Sequence, residues 1–184
     1  MFTDEEKSKI LDVKQRMIDH VKAMTEQPWF DNGIAIDWDK VYLTGGVTAS
    51  LLQGEKPKDW DFYCEDMNTM YSIRDMLLRD KSLVKDVDPK YKEFWGEDGK
   101  MITSQAITMN DDSSFITMIS LPPDMLKASF DYVHCMPHYH LTSKTLYISR
   151  RQYDAAVNKK LVINNAGNVK EWRTYKFKER GYTV

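Results

Sequence analysis

Apolar residues recur at helical spacing over the first two dozen positions. Ile10, Val13, Met17, Val21 and Met24 share one stripe, which predicts an amphipathic helix of about six turns. Thr3 followed by Glu6 gives it a capping-box start, and Pro28 with the Asp-Asn-Gly turn at 31–33 closes it. The pattern then shifts to short apolar runs: a strand over 38–43, a helix over 47–53 and a second strand over 59–64. Asp66 is placed to cap a helix whose buried face is Met70, Ile73 and Leu77. Residues 81–100 are polar and glycine-punctuated, and read as a loop with some local structure.

Two strands are expected over 101–109 and 115–121, joined across Asn110-Asp111-Asp112. A short helix over 122–127, a strand over 130–135 and a short strand over 146–148 follow. Ser149 caps a helix running to about residue 159, and a last helix from Asn168 ends at Gly181. No internal repeat breaks the series, and no linker is long enough to separate a pair of domains. The expectation is a single domain over 1–184, with an N-terminal helix (1–27), a core (38–148) and a C-terminal helical segment (149–184).

Composition narrows the class. A chain of 184 residues with 12% aromatics and 11 methionines has the means to build a packed core. Nothing approaches a membrane-spanning apolar run, and the charged start is unlike a secretory leader. Cys64 and Cys135 are the two cysteines, both expected as reduced core thiols in a cytoplasmic protein. The net charge of −2 hides an asymmetry. Residues 1–130 carry 16 basic and 24 acidic side chains, and residues 131–184 carry 10 and 4. That basic third suits a surface facing phosphates, and equally a solvated helical face.

The candidate chemistry lies in residues 41–63. An apolar strand runs into Gly45-Gly46, a helical stretch follows, and the next strand carries Asp59 and Asp61. Alternation along a strand points both carboxylates the same way. Two acids held together repel, and a divalent cation between them relieves the repulsion. The glycine pair allows backbone N–H groups to approach an anion at a helix start. A phosphate cradle beside a cation-binding acid pair is equipment for phosphoryl or nucleotidyl transfer. The simpler reading, a turn that Asp59 caps after Pro57, leaves the glycines and Asp61 unexplained.

Gly45, Gly46, Leu51, Leu52, Gly54, Pro57, Asp59 and Asp61 appear in the order and spacing of a known signature. The segment resembles the nucleotidyltransferase superfamily, above all the branch of tRNA CCA-adding enzymes and bacterial poly(A) polymerases. Residues 103–140, with Phe130, Asp131, Tyr132 and Cys135, resemble a family of small nucleotidyltransferase-like proteins encoded by bacteriophages. Arg173, Lys176, Phe177, Arg180 and Gly181 match that family's C-terminal pattern. The resemblance implies an α/β (α+β) fold, a mixed sheet flanked by helices with a C-terminal helix. It departs from the CCA-adding branch at Ala49 and Ser50, where that branch has an Arg-Asp pair. The chain also stops before that branch's long helical body, so CCA addition to tRNA is not expected.

Two-metal nucleotidyl transfer calls for a third carboxylate, and Asp131 is the candidate: a lone acid in an apolar run is costly unless paired or metal-bound. The alternative is an acid at the exposed start of a strand. Arg173, Lys176 and Arg180, at i, i+3 and i+7, are candidates for triphosphate or RNA contact, with a solvated face as the competing reading. Trp172 and Tyr175 are expected on the packed side of that helix, and His20 in a structural role on the first helix. Cys135, His138 and His140, with His134, lack the complementary pair that a zinc site needs, and a histidine near the rim of the site contacting phosphate is preferred. No P-loop or nucleophile elbow is present.

These readings converge on a metal-dependent nucleotidyltransferase that moves a nucleoside monophosphate from an NTP, ATP included, to an acceptor hydroxyl on RNA or protein. Asp59, Asp61 and Asp131 would hold Mg²⁺ or Mn²⁺ and carry catalysis. Gly45, Gly46, Thr48, Ser50, Arg173, Lys176 and Arg180 would bind the nucleotide. A second reading keeps the fold as an inactive module binding nucleotide, RNA or a host protein. A third is attachment of AMP to a partner protein. Membrane association is not expected, the location would be the host cytoplasm for a phage protein, and the oligomeric state stays open.

Overall fold

In the computed structural model, residues 1–30, 35–95, 101–111, 113–118 and 123–184 are described. The turn expected at 31–33, the end of the 81–100 segment, Asp112 and residues 119–122 lie outside them. Helix α1 (Asp4–Thr25) starts with the predicted box: the Glu6 N–H donates to Thr3 Oγ1, and the Thr3 N–H donates to the Glu6 carboxylate. Val13, Met17 and Met24 of its apolar stripe are buried.

Among the described residues, seven strands form one mixed sheet in the order β3-β4-β5-β2-β1-β6-β7. The strands are β1 (Val41–Thr44), β2 (Trp60–Cys64), β3 (Val84–Trp95), β4 (Met101–Met109), β5 (Ser113–Met118), β6 (His138–His140) and β7 (Thr145–Tyr147). Pairing is antiparallel throughout except between β2 and β5. Helices α2 (Val47–Leu52), α3 (Met67–Leu78), α4 (Pro123–Ser129), α5 (Arg150–Val157) and α6 (Glu171–Glu179) complete the order. Asp66 and Ser149 cap α3 and α5 as expected.

Period-2 alternation sorts the side chains of β2 onto two faces. Trp60, Phe62 and Cys64 join a core with Val13 and Met17 of α1, Val47 and Leu51 of α2, and Met70, Ile73 and Leu77 of α3. Tyr63 belongs to a second core with Leu126, Phe130, Tyr132, Cys135, Phe177 and Tyr182. Asp61 follows the alternation of Tyr63, onto the face that α4, α6 and the C-terminal residues cover. The imidazole of His20 stacks on Trp60 from the opposite face, with ring centroids 3.6 Å apart.

Three expectations change. The segment expected as a loop holds β3, an edge strand paired to β4, with a register shift between Asp88 and Lys92 that contains Pro89. Proline is tolerated at a bulged edge because no ladder donor is needed there. The strand expected over 130–135 is absent: Tyr132 makes one isolated bridge with Ile163, and Val133–Cys135 is a 3₁₀ turn. Asp131 therefore comes from a loop after α4 rather than from a neighbouring strand. Trp172 and Tyr175 are exposed at 64% and 63%, and Phe177 is the residue of α6 that packs inside.

Candidate functional site

The centre is built where β1 ends against β2. Thr44 pairs with Asp61 across the antiparallel ladder, and its hydroxyl donates to the Pro137 carbonyl at 2.8 Å, tying the strand end to the segment before β6. The chain then turns at Gly45, whose φ of +85° favours glycine. A Cβ built at Gly45 would stand 3.1 Å from Asp61 Oδ2. Backbone and carboxylate approach so closely that position 45 excludes a side chain on two grounds, the φ and the contact. At Gly46 a Cβ would meet nothing within 4 Å. Gly46 is the N-cap of α2 and, having no side chain, supplies no capping bond, while Val47, Thr48 and Ala49 of the first turn are buried.

The structure brings Asp61 and Gly45 together, with Asp59 exposed one residue ahead of β2. Thr48 and Ser50 are both buried on α2. Ser50 Oγ accepts from Arg180 at 3.3 Å, whereas Thr48 Oγ1 has no hydrogen-bond partner among the described residues.

Asp131 is 4% exposed. It reaches the second face of the sheet beneath α6, where its carboxylate forms an ion pair with the Arg173 guanidinium. Its Oδ1 accepts from the Tyr132 N–H at 2.9 Å. Arg173 lies over the Phe177 ring, 5.3 Å from the centroid, and its Nη2 is 3.8 Å from Cys135 Sγ. Burial lowers its pKa, but the Cys135 sulfur and the Asp131 carboxylate raise it, and the net movement is upward. Asp61 and Asp131 act on the same two buried groups. Burial pushes the Cys135 thiol up to about 12, with both carboxylates raising it and Arg173 opposing them. The Tyr63 hydroxyl is raised by burial and then by Asp61, with Arg173 again opposing and Asp131 adding. Asp61, Asp131 and Arg173 thus all act electrostatically on Tyr63 and Cys135.

The three candidate cations of α6 separate. Arg173 holds Asp131, Arg180 holds Ser50, and Lys176 is exposed and makes no ion pair among the described residues. The histidines are not at an open rim. His134 is 0% exposed, packed against Phe177 and Tyr182, and neither ring nitrogen has a partner among the described residues. Burial, with Arg173 and Arg180 nearby, depresses it to about 3. His138 is buried against Tyr147 and depressed to about 4, chiefly by burial. His140 is pinned through both ring nitrogens, by Ser143 Oγ and the Asp39 carbonyl, each at 2.6 Å. Both cysteines are buried free thiols.

The fit to a divalent cation is partial. Magnesium is commonly held by one or two carboxylates together with substrate phosphates, and Asp59 and Asp61 are the two carboxylates at the start of β2. Asp131 does not act as a third ligand in this arrangement, because its counter-charge is Arg173. Among the described residues, no group of three or more His, Cys, Asp or Glu side chains is placed to share one ion. Also among these residues, no helix is long and apolar enough to cross a membrane.

Sequence reasoning did not foresee the Asp131–Arg173 pair, the Arg180–Ser50 contact or the burial of His134. Their one sequence signal was the i, i+7 spacing of Arg173 and Arg180, which places both on one stripe.

Solved structures carry the same fold. The Thermotoga maritima CCA-adding enzyme complexed with tRNA(CCA) superposes with a TM-score of 0.51 at 15% identity, covering 78% of this chain and 34% of that one. A CCA-adding enzyme in complex with ATP gives 0.50 at 14% identity, covering 96% and 40%. The mixed sheet with its flanking helices and C-terminal helix is therefore a nucleotidyltransferase-like fold, and the chain spans at most two-fifths of the length of these enzymes. No curated protein matches the chain. A family model described as Gabija anti-defense 2 family protein matches residues 5–159. With most of its length matched, the chain belongs to the Gabija anti-defense 2 family.

Proposed function

We propose that this chain is a nucleotidyltransferase that moves a nucleoside monophosphate from an NTP to a hydroxyl acceptor on RNA or protein, and that this modification serves the anti-defense role in its family's name. The observation that carries the reading is the apposition of Gly45 and Asp61: a left-handed glycine pressed against a carboxylate, at a strand end that leads straight into α2. A packing role alone gives no reason for an acid to sit there.

In this reading the acceptor oxygen bonds to the α-phosphorus, the bond to the bridging oxygen breaks, and pyrophosphate leaves. A divalent cation, Mg²⁺ or Mn²⁺, held by Asp59 and Asp61 would offset charge on the phosphates. Gly45 fixes where the Asp61 carboxylate stands. The uncapped N–H groups after Gly46 are donors for phosphate oxygens. Thr48 and Ser50 line the buried side of that cradle, and Arg180 orients the Ser50 hydroxyl. Arg173 and Lys176 supply positive charge from α6. Asp131 is the proposed carboxylate of the acceptor side, a role that requires Arg173 to leave it for the substrate.

The ion pair at Asp131 favours a second reading, a nucleotide- or RNA-binding module without turnover, because the third carboxylate is already neutralised. Incubation with α-³²P-labelled NTPs, Mg²⁺ and a pool of RNA and protein acceptors separates the two. Labelled macromolecule supports transfer. Thermal stabilisation by Mg²⁺ and NTP with no labelled product supports the binding module.

A further inference from the structure

We propose that the outward stripe of α6 is a docking surface for single-stranded RNA, which makes RNA the acceptor class. The inference rests on the nucleotidyl-transfer reading for its purpose but not for its test.

Trp172 and Tyr175 are among the large apolar side chains that the described residues leave in water. They stand at i and i+3, with Lys176 and Glu179 continuing the same stripe at i+4 and i+7. The adjoining stripe, about 100° round the helix, is committed inward: Arg173 to Asp131, Phe177 to the second core and Arg180 to Ser50. The two aromatic residues are therefore surplus to holding α6 in place. One turn of helix separates their rings by about 4.5 Å along the axis, a spacing at which two successive unstacked bases have a partner each.

The charge around them has the sign that a polynucleotide needs, by a margin of one: Lys170, Lys176 and Lys178 stand against Glu171 and Glu179, all five exposed. Of the 10 basic residues in 131–184, Arg173, Arg150 and Lys159 are neutralised within the chain, by Asp131, by Glu6 and Asp154, and by Glu55. Lys170, Lys176 and Lys178, at the N-cap and in the body of α6, are exposed and make no ion pair among the described residues. Aromatic rings interleaved with unpaired lysines form the combination that binds single strands, by stacking plus backbone neutralisation. A protein partner for two exposed rings would look for further apolar residues on the same stripe, and its other members, Lys176 and Glu179, are charged. Glu179 argues for RNA over DNA, because a carboxylate on the stripe repels phosphate but accepts from a ribose 2′-hydroxyl. Arg173, the neighbour of Trp172 on α6, reaches Asp131, so a strand along α6 would run beside the carboxylate proposed for the acceptor side.

The test is fluorescence polarisation of a labelled single-stranded RNA 12-mer of mixed sequence, with neither NTP nor divalent cation present. Wild type should bind saturably, more weakly as salt rises. Trp172→Ala and Tyr175→Ala should each weaken binding about tenfold or more, and Lys176→Gln should lower the salt dependence. Trp172→Phe should restore most of the loss, since it keeps a ring. The substituted side chains are exposed, so melting curves should overlay the wild type. No saturable binding, or alanine variants that bind like wild type, would overturn the proposal. Equal affinity for DNA of the same sequence would overturn the RNA assignment. RNA bound at α6 by a chain that transfers no label would defeat the transfer reading alone and leave this surface standing.

Discussion

Replacing Arg173 by Met leaves the Asp131 carboxylate in a nearly dry site with its countercharge gone. Asp131 is 4% exposed, and the Arg173 side chain is 32% exposed. Removing one partner of a fully buried pair costs about 3–5 kcal/mol. Two features soften that here: about a third of the Arg173 side chain is in water, and the Tyr132 N–H still donates to Asp131. The expected loss is about 2–3 kcal/mol, which for a chain of this size lowers Tm by roughly 5–10 °C. Asp131→Asn keeps an acceptor for the Tyr132 N–H but leaves the guanidinium unpaired, at a cost of about 1–2 kcal/mol. The double variant should cost less than the sum of the singles, with a coupling of about 1–2 kcal/mol. Denaturant melts of the four proteins give that number directly. Singles that add to within about 0.5 kcal/mol would refute the idea that this pair fastens α6 to the loop after α4. The same series reports on function: if Arg173 is what keeps a cation from Asp131, Mn²⁺ should stabilise Arg173→Met more than wild type.

Other consequences are as specific. Gly45→Ala meets both a left-handed φ and the Asp61 carboxylate, so it should cost about 1–2 kcal/mol from the backbone alone, whereas Gly46→Ala, with open space and a right-handed φ, should change a melt little. Gly181→Ala shares the positive φ but has only the flexible Lys159 chain nearby, so its loss should come from the backbone alone, about 1–2 kcal/mol in the same melts. His134 is held neutral, with its folded pKa about 3 against 6.5 unfolded. The unfolded chain therefore binds more protons below pH 6.5, and stability falls as pH drops from there toward 3. At pH 5 the imidazole should contribute a penalty of about 2 kcal/mol relative to neutral pH. His134→Phe should remove about half of that acid limb in melts from pH 7 to 4, because His138, depressed to about 4, contributes a comparable share. An unchanged slope would show that His134 titrates freely.

The regions of this fold that the sequence disclosed were those with a single dominant period. The stripe of α1, the capping residues Thr3, Asp66 and Ser149, and the strand–helix–strand run from β1 through α2 to β2 needed only local rules. Residues 84–95 escaped because lysines, aspartates and Pro89 are what an edge strand carries, and the same residues describe a loop. Residues 130–135 misled in the other direction. Phe130, Tyr132 and Val133 are apolar because they fill the interior beside α6, not because they pair in the sheet. Trp172 and Tyr175 were assigned inward on hydrophobicity, yet the inner stripe of α6 is Arg173, Phe177 and Arg180, the first paired with Asp131 and the last donating to the Ser50 hydroxyl across the chain. Such partners lie 42 and 130 residues away, beyond any local pattern.

The central claim is nucleotidyl transfer at the Gly45–Asp61 centre, and one assay meets it head on. Wild type and Asp61→Asn, matched for melting temperature, are given each α-³²P-labelled NTP with Mg²⁺ and the acceptor pool, and labelled macromolecule is counted. Wild type should give time-dependent label that requires the divalent cation, and Asp61→Asn should lose roughly a hundredfold or more. Label that persists undiminished in Asp61→Asn, or no label from wild type with any NTP, would contradict it.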